Sequence, residues 1–500
     1  MNIKQLLLKI DESINDENHE LKNITVSGWI RTSRTSSGTQ TFCLINDGSD
    51  TSGLQLIVTA ENMNEEKFMA FNNNAKIGCF INASGKIKEC PLKEIKNEEN
   101  ETTKKQERSQ KYELIVNDFT INEHKDKNYP LAKSKMNLDT LRKYIHLRPR
   151  TNTFGSILRI RSKLMKTIHD FYHQLDFLHI DPNIITINEC EGGAGVFQVT
   201  EKDITKKENL KYKPDGKYDW ETDHFKKPVY LTVSSQLQLE MFACSLGNVY
   251  TVNKSFRSEH SKTSKHCSEF THIEIEILSN DMTQLMLIGE TMIRYCITTI
   301  MRELKQDIEN LDKIEKFNLG KNNAIGLLDR LNRLLETNFI MKTYTEIIEE
   351  INTDIKEHKL KLKKLEIGDD LGSEHENYIT SKYNTGVFCT HWPLEIKSFY
   401  MKQCEGNNLC ESFDLLLPFG IGELIGGSMR EENYEKLIAN MNNKNVDQKS
   451  LEFYTDLRKY GTCPHGGFGL GFDRLLMLIT GMKNIRDVQP IPVCYEECEY

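Results

Sequence analysis

The sequence predicts an α+β protein in which a small β-barrel precedes a larger domain built on an antiparallel sheet flanked by helices. Three observations lead there. At 500 residues the chain exceeds what one ordinary core accommodates, so two domains are expected. Residues 24 to 122 alternate apolar and polar side chains, with short turns between the runs. Beyond residue 150, strand runs are interrupted by segregated helices, which describes an α+β domain and not a doubly wound parallel one.

Composition narrows the class. Hydrophobic residues make up 38% and charged residues 28%, as in a globular protein. No apolar run has the length of a membrane span. The opening MNIKQLLLKIDESINDENHE turns acidic at once and has neither a small-residue cleavage site nor an Arg-rich transit pattern, so a cytoplasmic location is expected. Thirteen cysteines are scattered singly without a C-x-x-C pair and read as reduced thiols. Cys494 and Cys498 read as part of a fraying tail rather than as a metal or disulfide pair. The formal charge of −8 gives no support for bulk nucleic-acid binding but leaves room for a local basic groove.

In chain order, residues 1–22 form an N-terminal segment. ITVSGWIR, TFCLINDGS and GLQLIV read as strands around the turn signal Asn46-Asp47-Gly48. KIGCFINASGKIKEC and YELIVNDFTI complete a five-stranded barrel over residues 23–125, for which the OB-fold is the commonest architecture. KNEENETTKKQERSQ (96–110) lacks any hydrophobic period and reads as a solvated loop. A Lys/Arg-rich linker covers 126–150, and residues 151–500 form the second domain. Ile157, Ile160, Leu164, Ile168, Phe171 and Leu175 mark one face of a long helix; Leu285, Ile288, Met292, Cys296 and Ile300 mark another. FLHIDPNIITI between them is strand-like. Residues 303–370 are mainly helical and charged, read as a surface insertion. The last third returns to strands and ends in a Gly-rich turn entering a helix at GLGFDRLLMLITGM.

Polar stations interrupt this second domain. They are ECEGGAGVFQVT with Glu191, LTVSSQLQLEMF with Ser234, Ser235 and Gln236 on an apparent strand, FRSEHSKTSKHCSEF (256–270), FDLLLPFGIGELIGGSMREE, and PHGGFGLGFDRLL. Arginine is the residue for bidentate grip on carboxylate and phosphate. Any one of Arg257, Arg430 and Arg474 alone is more often structural; together with Glu423 they suggest a site for a polyphosphate and a hard cation such as Mg²⁺. Phe270 is a candidate base-stacking ring. There is no P-loop, no dinucleotide fingerprint after a strand, no zincin helix and no nucleophile elbow.

An ordered set of segments resembles the class II aminoacyl-tRNA synthetases, and within them the asparaginyl and aspartyl branch. FLHIDPNIIT with Pro182 resembles motif 1, FRSEH…EFTHIEIE motif 2, and GLGFDRLLML motif 3; HLRPRTNT, YTDLRKYGTCPHGGFGLGFDR and MKNIRDV resemble the branch specifically. Asp176 stands where the family has a glycine. The resemblance implies an OB-fold anticodon-binding domain followed by a class II catalytic domain, with ATP as substrate and Mg²⁺ as cofactor. It further implies that Arg257 grips the α-phosphate and substrate carboxylate, Glu259 lies against the nucleotide, Lys265 and His266 reach the outer phosphates, and Phe270 stacks on adenine. Gly471 and Arg474 would cover its other side, with Glu423 and Asp414 as Mg²⁺ ligands. Their spacing is one residue wider than the family pattern, with Phe419 as the apparent extra.

By the same resemblance Glu191, Ser234 and Gln236 hold the amino acid, its ammonium on Glu191 and Gln236, while Arg430 meets its side-chain oxygen. Aspartyl enzymes carry a lysine where this chain has Leu239 and an aspartate where it has Glu274. Loss of that attraction and the added repulsion point to L-asparagine and tRNA(Asn). Phe42, Arg31 and Gln55 are the implied anticodon readers, and motif 1 implies a homodimer. Three alternatives stay open: an aspartyl-specific enzyme, an asparagine synthetase-type paralogue, and a non-catalytic RNA-binding relative.

Overall fold

The computed structural model describes residues 1–13, 24–36, 38–90, 93–95, 104–106, 110–123, 128–131, 136–187, 195–319 and 325–500. The chain forms two compact units, Met1–Arg159 with Gln306–Ile314, and Ile160–Lys305 with Glu315–Tyr500.

The first unit opens with helix α1 (Ile3–Ser13), then strands β1 (Ile24–Ser36), β2 (Gln40–Asn46) and β3 (Leu54–Thr59), helix α2 (Glu65–Asn74) and strand β4 (Phe80–Glu89). A ribbon of β5 (Lys93–Ile95) and β6 (Lys104–Gln106) leads to β7 (Tyr112–Asn122) and helix α3 (Leu138–Arg142). The 96–110 stretch is thus not wholly a loop, since Lys104–Gln106 pair with Lys93–Ile95; its residues 96–103 and 107–109 lie outside the described residues. A closed barrel forms in the order β1-β2-β3-β7-β4, antiparallel except where β3 meets β7. That is the five-stranded topology of an OB-fold. Three helices of this unit were not anticipated from the sequence: α3, within the stretch read as a linker, and two that pack on the barrel core. In α1, Ile3, Leu6 and Ile10 recur at three- and four-residue spacing and join the barrel core beside Ile45, Leu56 and Val116. In α2, Asn64 accepts from the Lys67 amide as N-cap, and Phe68 and Phe71 enter the same core.

The chain continues through α4 (Asn152–Gln174), β8 (Leu178–His179), β9 (Ile185–Thr186), β10 (Gln198–Val199), β11 (Val229–Leu231), α5 (Gln236–Leu246), β12 (Val249–Phe256) and β13 (Glu269–Leu278). Helices α6 (Met282–Glu303), α7 (Lys305–Leu319) and α8 (Leu327–Glu336) precede β14 (Ile340–Thr343), α9 (Tyr344–His358), α10 (Ser373–Tyr383), β15 (Val387–Thr390), β16 (Ser412–Leu417) and β17 (Gly422–Met429). Helices α11 (Tyr434–Asn443) and α12 (Glu452–Lys459), strand β18 (His465–Gly471) and helix α13 (Phe472–Thr480) complete it.

An eight-stranded sheet orders these strands β14-β15-β16-β17-β18-β13-β12-β8. The expectation of a wholly antiparallel sheet needs correction: both outer pairs, β14/β15 and β12/β8, are parallel. The 303–370 stretch is therefore not purely a helical surface insertion. It supplies edge strand β14, and Tyr344, Ile347 and Ile351 of α9 are fully buried against Val387 and Trp392. Ser234-Ser235-Gln236 likewise do not lie on a strand, because Gln236 begins α5. Leu237, Leu239 and Met241 alternate in sequence, which mimics a strand. The helix buries Leu237 in one cluster and Leu239 in another, so its apolar positions are not confined to one stripe.

Two departures from the family pattern find local causes. Asp176 adopts φ of 56°, the left-handed conformation beyond a helix end that glycine usually supplies and Asp tolerates. The wide spacing of Asp414 and Glu423 is taken up by a register shift between Leu415 and Leu416, which leaves Leu424 as the extra residue of a bulge. Phe419 itself, at φ of 66°, sits in the turn between β16 and β17.

The glycine-rich β18 lies in the sheet interior, bonded to β17 and β13. A Cβ on Gly467 would stand 2.0 Å from the Ile275 carbonyl oxygen and 2.4 Å from Glu276 Oε1, whereas one on Gly471 would meet nothing nearer than Arg474 at 3.8 Å. Gly467→Ala is therefore expected to cost about 3 kcal/mol and Gly471→Ala less than about 0.5 kcal/mol, read from urea-denaturation midpoints.

Candidate active site

The register of the sheet builds the floor of the site. Asp414 of β16 pairs with Gly426 of β17, Gly426 with Gly469 of β18, and Gly469 with Glu274 of β13. Residues in register share a face. Two carboxylates thus bound a stretch of bare backbone three strand spacings wide, about 14 Å. On the same face of β13, Phe270, His272, Glu274 and Glu276 follow at period two. Gly471, Gly469 and Gly467 lie opposite the last three. A Cβ on Gly469 would stand 2.5 Å from His272 Nε2, so glycine there makes room for the polar row.

Cations gather above one end. Arg257 follows β12, and its guanidinium carbon lies 5.6 Å from the Phe270 ring centroid. Arg474, in the first turn of α13, donates to the Glu423 carbonyl at 2.6 Å and reaches His266 Nε2 at 3.5 Å. Lys265 is half-buried, and its Nζ has no hydrogen-bond partner among the described residues. Burial lowers its pKa, and Arg474 adds to that against the pull of Glu376. Burial and Arg474 also lower His266. Glu259 is exposed at the outer end of this segment. Gly471 closes β18 as the residue before α13.

Asp414 and Glu423 converge. A Cβ built on Gly426 would lie 3.5 Å from Asp414 Oδ1 and 3.2 Å from Glu423 Oε1. Burial raises the Asp414 carboxyl above its ordinary range and Glu423 adds to this, while Lys397 opposes it. Two hard oxygen donors over bare backbone fit a divalent cation such as Mg²⁺. Two residues here went unnoticed in the sequence. Lys397 is held 2.7 Å from Asp414 Oδ2 and 4.0 Å from the Trp392 ring centroid. Glu376 of α10 would touch a Cβ on Gly422, and its pKa is raised by burial and then by Glu423. No local motif surrounds either residue.

At the other end, Glu274 accepts from the Ser234 hydroxyl and from the Ser235 amide at 2.9 Å. His272 Nδ1 lies 3.5 Å from the same carboxylate. Beneath it is a buried charge network. Gln236 donates to Glu240 at 3.1 Å, and Glu240 accepts from Arg458 at 2.9 Å and contacts His465 at 2.8 Å. Arg430 pairs with Glu276 and donates to Ser428 at 2.7 Å. Arg458 and His465 thereby hold Glu240 well below the usual carboxylate range despite its burial. Glu276 was legible as the next same-face position after Glu274; Glu240, Arg458 and His465 were not. Leu239 is fully buried with Ala243 and Val249. Glu191 lies outside the described residues.

Cys244, Cys463 and His465 place their ligand atoms within 4.8 Å of one another. Both imidazole nitrogens are already engaged, by the Cys463 carbonyl and by Glu240, and Arg458 stands 3.3 Å away. A buried guanidinium beside the group disfavours a metal cation there.

In the barrel, Phe42 and Gln55 are half-exposed between buried neighbours on β2 and β3, and Gln55 donates to Glu113 at 2.6 Å. Arg31 occupies the bulge where the β1/β2 register shifts. Burial lowers its pKa, and Arg150 and Arg159 add to that.

Comparison with known proteins agrees with this architecture. The family model described as tRNA synthetases class II (D, K and N) matches residues 137–494. The chain belongs to that family. It is 37% identical over 482 residues to the asparagine–tRNA ligase of Phocaeicola vulgatus, covering 95% of this chain and 96% of the relative. With that of Clostridium tetani it is 36% identical over 493 residues, covering 98% of both. Among solved structures it resembles asparaginyl-tRNA synthetase from Pyrococcus horikoshii complexed with asparaginyl-adenylate, with TM-score 0.76, 26% identity and coverage of 94% and 95%. The Entamoeba histolytica enzyme in complex with asparaginyl-adenylate gives 0.77, 26%, 97% and 98%.

Removing one charge from the buried network leaves its partners uncompensated. Glu240→Gln keeps the shape but strips Arg458 and Arg430 of a counter-charge, and is expected to cost about 3 kcal/mol by chemical denaturation.

Proposed function

We propose that this chain is an asparagine–tRNA ligase, which joins L-asparagine to ATP as asparaginyl-adenylate and transfers the amino acid to the 3′ end of tRNA(Asn). The observation that carries this reading is the trough itself: a glycine floor with Glu274 fixed at one end and Arg257, Arg474 and Lys265 gathered at the other. Relatives of the same length named for this activity support it.

The chemistry asks for charge placement rather than a protein nucleophile. The asparagine carboxylate attacks the α-phosphorus, and pyrophosphate leaves. The tRNA terminal ribose hydroxyl then attacks the activated carbonyl, and AMP leaves. Arg257 neutralises the α-phosphate, Lys265, His266 and Arg474 receive the outer phosphates, and Phe270 supports the adenine. Glu423 and Asp414 would hold Mg²⁺, which when bound would supply positive charge to the phosphate oxygens. Ser234 and Gln236 line the amino-acid end, and Glu191 takes the substrate ammonium together with Gln236. Arg430, locked to Glu276, offers donor capacity to the side-chain oxygen.

Selectivity rests on Glu274. Ser234 and Ser235 orient its carboxylate, which accepts from a carboxamide NH₂ and repels a carboxylate. That favours asparagine over the aspartyl reading. The barrel binds the anticodon, with Phe42 stacking on a base and Arg31 and Gln55 as polar readers. The chain acts as a homodimer in the cytoplasm. Leu178, Ile184 and Ile185, at and just beyond edge strand β8, are exposed apolar side chains of the kind that an isologous interface covers. Among the described residues no helix is long and apolar enough to cross a membrane.

ATP–pyrophosphate exchange without tRNA tests the reading. Asparagine is expected to support exchange and aspartate is not; exchange with aspartate alone would overturn the substrate assignment. Arg257→Ala is expected to lower exchange at least about 100-fold. Glu274→Gln should lower kcat/KM for asparagine by about 100-fold and narrow the asparagine-to-aspartate ratio, as measured by exchange at saturating ATP.

A further inference from the structure

The segment between β12 and β13, which carries Lys265 and His266, is gripped from outside by residues 485–497. The Ile485 amide donates to the Ser264 carbonyl at 2.8 Å, and the Ser268 amide to Val493 at 2.8 Å. Arg486 donates to the Thr263 carbonyl at 3.2 Å and to Glu497 at 2.6 Å. Lys262 pairs with Glu496, and the His260 ring stacks on Tyr495 at 4.8 Å. In the middle of this clasp, Cys267 Sγ and Cys494 Sγ lie 2.9 Å apart, with the residues 8% and 4% exposed. Cys494 is no fraying tail: its amide and carbonyl exchange hydrogen bonds with Glu497, both at 2.9 Å.

We propose that Cys267 and Cys494 are a covalent modification site: a hydroperoxide converts the two thiols to a disulfide that fastens the 257–268 segment to residues 493–497. A disulfide needs its sulfurs about 2.05 Å apart, so closing the bond asks for a shift of under about 1 Å. Cys494 is the attacking sulfur. The hydrogen bond from Cys267 lowers its pKa, and Arg486 adds to this against burial. Its thiolate takes one oxygen from hydrogen peroxide as the O–O bond breaks, giving a sulfenic acid and, with a proton, water. The Cys267 sulfur then attacks that sulfur. The S–S bond forms, and hydroxide leaves to take up the Cys267 proton as a second water. The balance is two thiols and one peroxide to one disulfide and two waters.

The bond joins residues 227 apart in sequence, so it constrains the unfolded chain strongly. The test is peptide mapping of the full chain after titration with hydrogen peroxide, with free thiols alkylated before digestion. The expected result is a Cys267–Cys494 cross-linked peptide that dithiothreitol abolishes. It should come with a thermal midpoint raised by a few degrees and at least threefold slower tryptic cleavage after Lys262. Cys498→Ser should leave all three intact, whereas Cys494→Ser and Cys267→Ser should remove them. A cross-link between Cys494 and the exposed Cys498, or a Cys267 still alkylated after peroxide consumes other thiols, would overturn the proposal. These readouts need no assumption about the reaction catalysed, and the wild-type chain alone, oxidised and then reduced, decides the matter if a variant folds poorly.

Discussion

The steric constraint on which the site depends is the bareness of β18. Its glycines at 467, 469 and 471 face Glu276, Glu274 and His272 across one ladder. Any side chain at 467 or 469 would occupy the volume those polar groups fill. Because the strand is central, its backbone is bonded on both sides, and the usual weakness of glycine in a strand is offset by ladder and packing. The result is a polar row on β13 that stays upright, and beside it a floor low enough for a ligand to lie against backbone.

Charge then sorts itself by depth. The deep layer, Glu240, Glu276, Arg430, Arg458 and His465, is mutually compensated and buried, so it fixes geometry. Substituting any one member leaves the others uncompensated. The upper layer is not closed in this way. Lys265 lacks a hydrogen-bond partner among the described residues, and Glu423 stands close enough to Asp414 and Glu376 to raise the proton affinity of both, on top of their burial. Such frustration is what a polyphosphate and a divalent cation relieve, since each brings the charge that the upper layer needs.

How much of this was legible follows from where the determining information lies. The barrel showed itself because five strands alternate with period two and turn at glycines, a local signal. Helix α1 carried an equally local signal at Ile3, Leu6 and Ile10, masked by the charged residues around it. Helix α5 was misread because Leu237, Leu239 and Met241 satisfy the strand period, and only burial on more than one side separates the two readings. The parallel edges of the sheet depend on chain connections over long distances, which no window of sequence contains. Arg474 and Glu423 stood out through their glycine-rich surroundings, and Arg257 through the polar segment set between two strand-like runs. Lys397 and Glu376 reach the site from segments without any pattern, and their contribution exists only once β16 and β17 are in register.

That register also explains how the chain tolerates a departure from its family's spacing. An additional residue between Asp414 and Glu423 would, in an unbroken ladder, turn every later side chain of β17 to the opposite face. The bulge at Leu424 absorbs it, so that Glu423 returns to Asp414 while Gly426, Gly427 and Ser428 keep their partners on β18. The extra residue and the bulge are one adjustment. It confines the change to the hairpin end and leaves the glycine floor, the cation cluster and the deep charge layer where the rest of the sheet holds them.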